Sequence, residues 1–235
     1  MDRHSPTTPT IPTLTALKDA QAASRPLVVA QLGQSLDGRI ATPSGHSHYV
    51  NGAAAIRILH RLRAEVDAVI VGAGTVSADD PRLTVREASG TNPARVIIDR
   101  SRRAGGQLRC LADTSARRIV VGPPHADDPD GIEYLPPPQD GLVDPAGLLA
   151  KLSEFGFQRI LVEGGSRTVS HFLADGTLDR LCILIGPMIL GSGPVGLNLP
   201  AIETIQDAIV PRTEYIALES GDMVVDCDLR AEASP

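Results

Sequence analysis

The chain has 235 residues, with 22 Lys plus Arg against 28 Asp plus Glu and a formal charge of −6. A chain of this length builds a core without metal or disulfide staples, and its acidic balance argues against nucleic-acid or anionic-membrane binding, which draws on a basic surface. Aromatic residues are 3% with no Trp, which argues against base-stacking platforms and leaves an aliphatic core.

Taken in chain order, residues 1–25 read as a flexible N-terminal tail, Pro- and Thr-rich at its start, with a short helix over Leu14 to Ala23. The tail has no apolar signal core, so a cytoplasmic location is expected, and no run reaches the length of a membrane span. Residues 26–235 read as a single domain. Leu27 to Leu32 is an apolar, β-branched run that predicts a buried strand. Apolar residues recurring at three and four from Ala53 to Leu62 predict an amphipathic helix with Asn51 as its N-cap. Further strands are expected at Val66–Gly72, Ala94–Asp99, Arg117–Gly122, Ile132–Leu135, Gln158–Glu163 and Leu178–Ile185. Pro145 is placed to open a helix through Phe155, and another helix begins in the stretch Gly164 to Leu173. Thr213–Leu218 and Met223–Leu229 flank Glu219-Ser-Gly-Asp222 as a hairpin. Strands alternate with helices until that hairpin, which predicts an α/β fold with a mixed, mostly parallel sheet flanked by helices.

Cys110, Cys182 and Cys227 are odd in number and far apart, so no disulfide framework is implied. His46, His48, His60, Asp79 and Asp80 lack the spacing of a metal site, and no metal is expected. Three glycine-bearing turns follow predicted strands: Gly72–Thr75, Glu163–Ser166 and Gly186–Gly193. In open α/β sheets such turns aim backbone N–H groups at anions. No G-x-G-x-x-G follows the first strand and no Walker loop is present, so a bound nucleotide needs another architecture. The densest polar region runs from Ser35 to Arg86, where Arg82 and Arg86 follow a glycine turn as a fork for a phosphate.

In these motifs the chain resembles the pyrimidine reductase of riboflavin biosynthesis, the reductase domain of the bifunctional deaminase–reductase family. The resemblance rests on Gln34-Ser-Leu-Asp-Gly-Arg-Ile-Ala41, Gly45-His-Ser with Tyr49, Leu62-Arg-Ala64 and Val71-Gly-Ala-Gly-Thr-Val76. It continues through Ala78 to Arg86, Asn92-Pro-Ala-Arg-Val96, Leu161-Val-Glu-Gly-Gly165 and Pro187-Met-Ile-Leu-Gly191. It implies a dihydrofolate-reductase-like fold, NADPH as cofactor and a homodimer. It also implies reduction of the ribosyl chain of 5-amino-6-(5-phosphoribosylamino)uracil to the ribityl chain. The zinc-deaminase motifs H-x-E and P-C-x-x-C are absent, so a stand-alone reductase is expected.

Carried over by position, the resemblance puts the cofactor on Gly33, Tyr49, Thr75, Asp79 and the turn Gly165, Ser166, Arg167, Thr168, Val169, Ser170 and His171. The substrate would meet Ser47, Arg63, Leu83, Arg86 and Glu163, with the two arginines on its phosphate. Asp37 and Glu163 are the candidates for polarising or protonating the substrate. Gln31 stands where many bacterial members have Lys, and Tyr49 where many have Trp. Arg100, Arg102 and Arg103 follow a strand and would favour the 2′-phosphate of NADPH. The pair Gly164–Gly165 is expected to be cis or strained. Two other readings stay open: a reductase of the same fold acting on another pterin or pyrimidine, and a nucleotide-binding relative without turnover.

Overall fold

The β-branched runs become the strands of one nine-stranded sheet. They are β1 (Leu27–Ser35), β2 (Ala68–Gly72), β3 (Ala94–Ile98), β4 (Arg118–Val121) and β5 (Glu133–Leu135), then β6 (Arg159–Glu163), β7 (Arg180–Gly186), β8 (Pro211–Ala217) and β9 (Met223–Glu232). The computed structural model describes residues 9–20, 25–105, 107–137 and 143–232. The strand order is β5-β4-β3-β2-β6-β1-β7-β9-β8. β1 to β7 pair in parallel, whereas β9 runs antiparallel to both β7 and β8. The expected mixed, mostly parallel sheet with a C-terminal hairpin is what forms.

The helices are α1 (Pro12–Asp19), α2 (Ala53–Ala64), α3 (Ala73–Asp79), α4 (Arg109–Ala112), α5 (Pro145–Glu154) and α6 (Ser166–Ala174). Alternate strand residues separate into two apolar layers. Val29, Val69, Leu161 and Leu184 meet α1 and α2 on one face, and Ala30, Ile70, Val162 and Leu181 meet α5 and α6 on the other. Both faces are covered, as a parallel sheet requires. Among the described residues no helix is long and apolar enough to cross a membrane.

Three expectations are corrected. The stretch read as a flexible tail does carry the expected short helix, but earlier, at Pro12–Asp19, and docked: Ile11, Leu14 and Leu17 are wholly buried. Each such side chain contributes roughly 1.5–3 kcal/mol. The buried carboxylate of Asp226 on β9 fixes its start, accepting the Thr13 N–H at 2.8 Å and the Thr13 hydroxyl at 2.8 Å, while Arg180 completes the charge balance. The Thr- and Pro-rich composition placed the helix start too late, because here Pro12 opens the helix. Second, Asn51 is not the N-cap of α2. Gly52 holds that position, and Asp222 in the β8–β9 turn accepts its N–H at 2.9 Å. Third, no cis peptide occurs among the described residues. Gly164 instead takes a φ of +113°, and a Cβ there would lie 2.8 Å from Thr75 Oγ1, so only glycine fits the turn.

Candidate active site

Parallel strands end together, and the crossovers that follow open a crevice at their carboxyl ends. Here β1 sits between β6 and β7, so the chain leaves it toward β2 on one side and returns on the other. At that switch point lies a cavity of about 980 Å³, the size that takes a dinucleotide. Its centre is built by the turns after β2 and β6. Gly72 to Thr75 and Gly164 to Thr168 both line it, and the Gly165 N–H donates to Thr75 Oγ1 at 2.8 Å, locking the two turns together. The amino end of α6 therefore faces the cavity, where its unpaired N–H groups suit a phosphate.

Beyond β3, Asp99, Arg100, Ser101 and Arg103 line one end of the cavity. Arg102, expected with them, is turned away: it is buried and ion-paired with Asp128. At the opposite end, near β1 and β7, the lining is apolar, with Ile40, Ala41, Leu59 and Leu184, together with Gln31, Gly33 and Asn51. Tyr49 stands at the rim, 86% exposed and with a φ of +69°. Ser47 and Asp79 complete this rim, the Ser47 hydroxyl donating to the Asp79 carboxylate at 3.3 Å.

Of the residues assigned to the cofactor, Gly33, Tyr49, Thr75, Asp79, Gly165, Ser166, Arg167, Thr168 and His171 line this one cavity. Val169 and Ser170 do not. Both face inward on α6, Val169 in the core and the Ser170 hydroxyl accepting the Asn198 N–H at 2.8 Å. Helical phase sends 169, 170, 172 and 173 toward the sheet, and that phase was legible in the sequence. His171 also holds the segment before α5, its Nε2 lying 2.7 Å from the Val143 carbonyl.

Of the residues assigned to the substrate, Ser47 lines the cavity rim, whereas Arg63, Leu83, Arg86 and Glu163 lie outside its lining. Arg63 and Glu163 are both buried and ion-paired in bidentate fashion: Nε reaches Oε2 at 2.8 Å, and Nη2 bonds Oε1. Arg63 Nη1 also donates to the Thr84 carbonyl at 3.1 Å. Both oxygens of Glu163 thus accept from Arg63 in the ion pair. Gly164 carries the chain from this pair straight into the cavity wall. Leu83 has φ +56° and a fully buried side chain that anchors the loop after α3 in the core, so it offers the cavity no side-chain contact. Arg86 is exposed, with Nη1 donating to the Thr84 hydroxyl at 2.7 Å. Burial and then the like charges of Arg63, Arg82 and Arg109 lower its pKa. Arg63 and Arg109 are ion-paired with Glu163 and Asp80, whereas among the described residues Arg82 and Arg86 have no ion-pair partner, and these two favour an anion.

Asp37 is corrected. It does not line the cavity, and its carboxylate accepts the Ser35 hydroxyl and the N–H groups of Leu190 and Gly191 at 3.0 and 2.7 Å. The Ser35 hydroxyl foremost, then these N–H groups, hold its pKa at about 2, so at neutral pH it has no proton to give. Asp37 clips the β7–β8 loop onto the loop after β1.

His60 had no assigned role, and the structure supplies one. It is buried, and Nδ1 accepts the backbone N–H of Arg86 at 3.0 Å. Burial, then the charges of Arg63 and Arg86, lower its pKa to about 4. The folded value lies below that of the unfolded chain. Its contribution is therefore whole above about pH 6.5 and lost as pH falls toward 4, by up to about 1.4 kcal/mol per pH unit. Urea melts across this range should show the wild type losing stability faster than His60→Asn, which keeps an acceptor but cannot titrate; parallel curves refute the role.

Residues 26–213 match the model of the RibD C-terminal domain. A Methanothermobacter thermautotrophicus protein named 2,5-diamino-6-ribosylamino-4(3H)-pyrimidinone 5′-phosphate reductase is 37% identical over 176 residues, covering 71% of this chain and 80% of its own. The solved Thermotoga maritima diaminohydroxyphosphoribosylaminopyrimidine deaminase/5-amino-6-(5-phosphoribosylamino)uracil reductase superposes with a TM-score of 0.71 at 28% identity. The match covers 87% of this chain but only 56% of that one. Dihydrofolate reductase of Enterococcus faecalis, at 10% identity and a TM-score of 0.50, shares the fold.

Proposed function

The chain belongs to the RibD C-terminal domain family, and from that membership we propose that it reduces a 5-amino-6-(ribosylamino)pyrimidine 5′-phosphate to its ribityl form with NADPH. The observation that carries this reading is the pairing of two sites at one switch point. A cavity of dinucleotide size opens on the turns after β2 and β6, and Arg82 and Arg86 lie on the loop that follows Asp79 of its rim. One site suits a cofactor with two phosphates, the other a substrate with one.

The residues present fit the cofactor. The amino end of α6 and the 72–75 turn would hold its pyrophosphate, Arg100 and Arg103 its 2′-phosphate, and the apolar end its nicotinamide ring. When bound, NADPH supplies the hydride. The chain's own part is to align C1 of the ring-opened, imine form of the sugar with that hydride and to keep water out. Arg86 holds the phosphate, and the Arg63–Glu163 pair fixes the wall against which the pyrimidine lies.

The archaeal relative's name supports a substrate that still carries its 2-amino group; the deaminated uracil is the other member of the class. Oxidation of NADPH by the purified protein with each compound, and growth of a reductase-deficient riboflavin auxotroph carrying the gene, test the reading. No turnover of either compound and no growth would sink it.

Arg100→Ala combined with Arg103→Ala should lower the preference for NADPH over NADH by roughly tenfold or more, as lost charged hydrogen bonds predict. Unchanged specificity constants for the two cofactors would exclude these residues. The reading also takes the protein as a homodimer. Support comes from β8, an edge strand with Tyr215 exposed, and from the apolar Ile205, Ile209 and Val210 just before it. Light scattering on the purified protein decides the point.

A further inference from the structure

Asn51 was read from the sequence only as a helix cap, and the resemblance assigned it no contact. Its side chain is held in one orientation by two acceptors. Nδ2 donates to the Leu184 carbonyl on β7 at 3.0 Å and to the Asp222 carboxylate at 3.3 Å. Asp222 is itself buried and fixed by the Gly52 N–H at 2.9 Å. Because both acceptors lie on the amino side, the amide cannot flip without facing oxygen to oxygen. Oδ1 is thereby turned to Gly33, where a Cβ would lie 2.0 Å from it, so glycine at the end of β1 is what admits the amide. Asn51 and Gly33 both line the cavity, and no donor among the described residues reaches Oδ1. The site thus presents one oriented acceptor at an end lined mainly by apolar side chains, with Gln31 beside them.

The order of the cavity's parts says what meets it. Arginines lie beyond β3, the phosphate-suited turns follow β2 and β6, and Asn51 lies at β1 and β7. A dinucleotide with its pyrophosphate at the centre and its 2′-phosphate on the arginines puts its nicotinamide at the Asn51 end. The donor that a nicotinamide carries is its carboxamide NH₂. We infer that Asn51 binds this carboxamide through Oδ1, and that Asp222, from the C-terminal hairpin, is the positioning residue that aims it. The inference rests on the cofactor reading above.

Calorimetry with two probes tests it without turnover: NADP⁺, and 3-acetylpyridine adenine dinucleotide phosphate, in which a methyl replaces the NH₂. The wild type should bind NADP⁺ roughly fivefold more tightly than the analogue, the size of one neutral hydrogen bond. Asn51→Ala should abolish that preference, weakening NADP⁺ while leaving the analogue nearly unchanged. Asp222→Ala and Gly33→Ala, which unfix or displace the amide, should reduce the preference in the same way. If Asn51→Ala weakens both probes equally, the amide serves packing alone and the inference falls. It falls too if the wild type binds both probes alike. Binding of neither probe by the folded wild type would overturn the cofactor reading and this assignment with it.

Discussion

Glu163→Ala is expected to destabilise the protein by about 3–5 kcal/mol, because it strands a buried guanidinium without its counter-ion. Arg63 and Glu163 are 5% and 7% exposed, so water cannot replace the lost partner. For a chain of this length the melting temperature should fall by roughly 10 °C. Arg63→Ala should cost a similar amount, by stranding the carboxylate. The double replacement should cost much less than the sum, since neither charge is then left alone. The most telling variant is Arg63→Met with Glu163→Leu, which swaps the pair for apolar side chains of similar size. Buried pairs are often matched in stability by such a swap, so this variant should stay folded near the wild-type melting temperature and lose its reductase activity. That split separates a pair kept for the site from one kept for the fold. Additive single-variant costs in urea melts, or an active apolar variant, would refute it.

The second large effect concerns Arg86. Arg86→Ala should raise KM for the phosphorylated substrate by roughly ten- to a hundredfold with a smaller change in kcat. A phosphate contact far from the reacting carbon is made equally in ground and transition states, so its loss shows as binding. The dephosphorylated substrate should barely notice the change, and neither should the dissociation constant of NADPH. Kinetics with both substrates decide the matter: equal losses on the two would remove the phosphate from Arg86. The sequence reading gave Arg63 the same task, and the structure divides it. Arg63 has three of its N–H groups committed to Glu163 and Thr84. Arg86 is the exposed member and carries the larger share.

Much of the fold was legible because its signals are local. Val69-Ile-Val71, Val96-Ile-Ile98 and Leu161-Val162 are β-branched or aliphatic runs of strand length, and every one is a strand. Of the three glycine turns expected, residues 72–75 and 164–166 line the cavity, whereas none of 186–193 does. What escaped notice depends on partners distant in sequence. Nothing near Arg63 announces Glu163, and nothing near Gly52 announces Asp222. The turn expected at Gly72–Thr75 is also the first turn of α3, a helix the sequence analysis did not place, with Val76 in the core. Arg102 was grouped with Arg100 and Arg103 by adjacency, whereas its φ of +53° turns it toward Asp128.

The insertion of β6 between β1 and β2 has a consequence for how the chain is made. β1 emerges early from the ribosome, but its neighbours are residues 159–163 and 180–186. Until these are synthesised, β2 to β5 can pair among themselves while the β2 edge, Ala68 to Ile70, has no strand beside it. While the chain between Gly72 and Arg159 is made, the nascent protein thus carries an unpaired apolar edge, the kind of surface that chaperones bind and that aggregates when it meets its like. The strand that closes that edge ends in Glu163 and leads into Gly164, so its arrival brings the partner of Arg63 and the central turn of the cavity together.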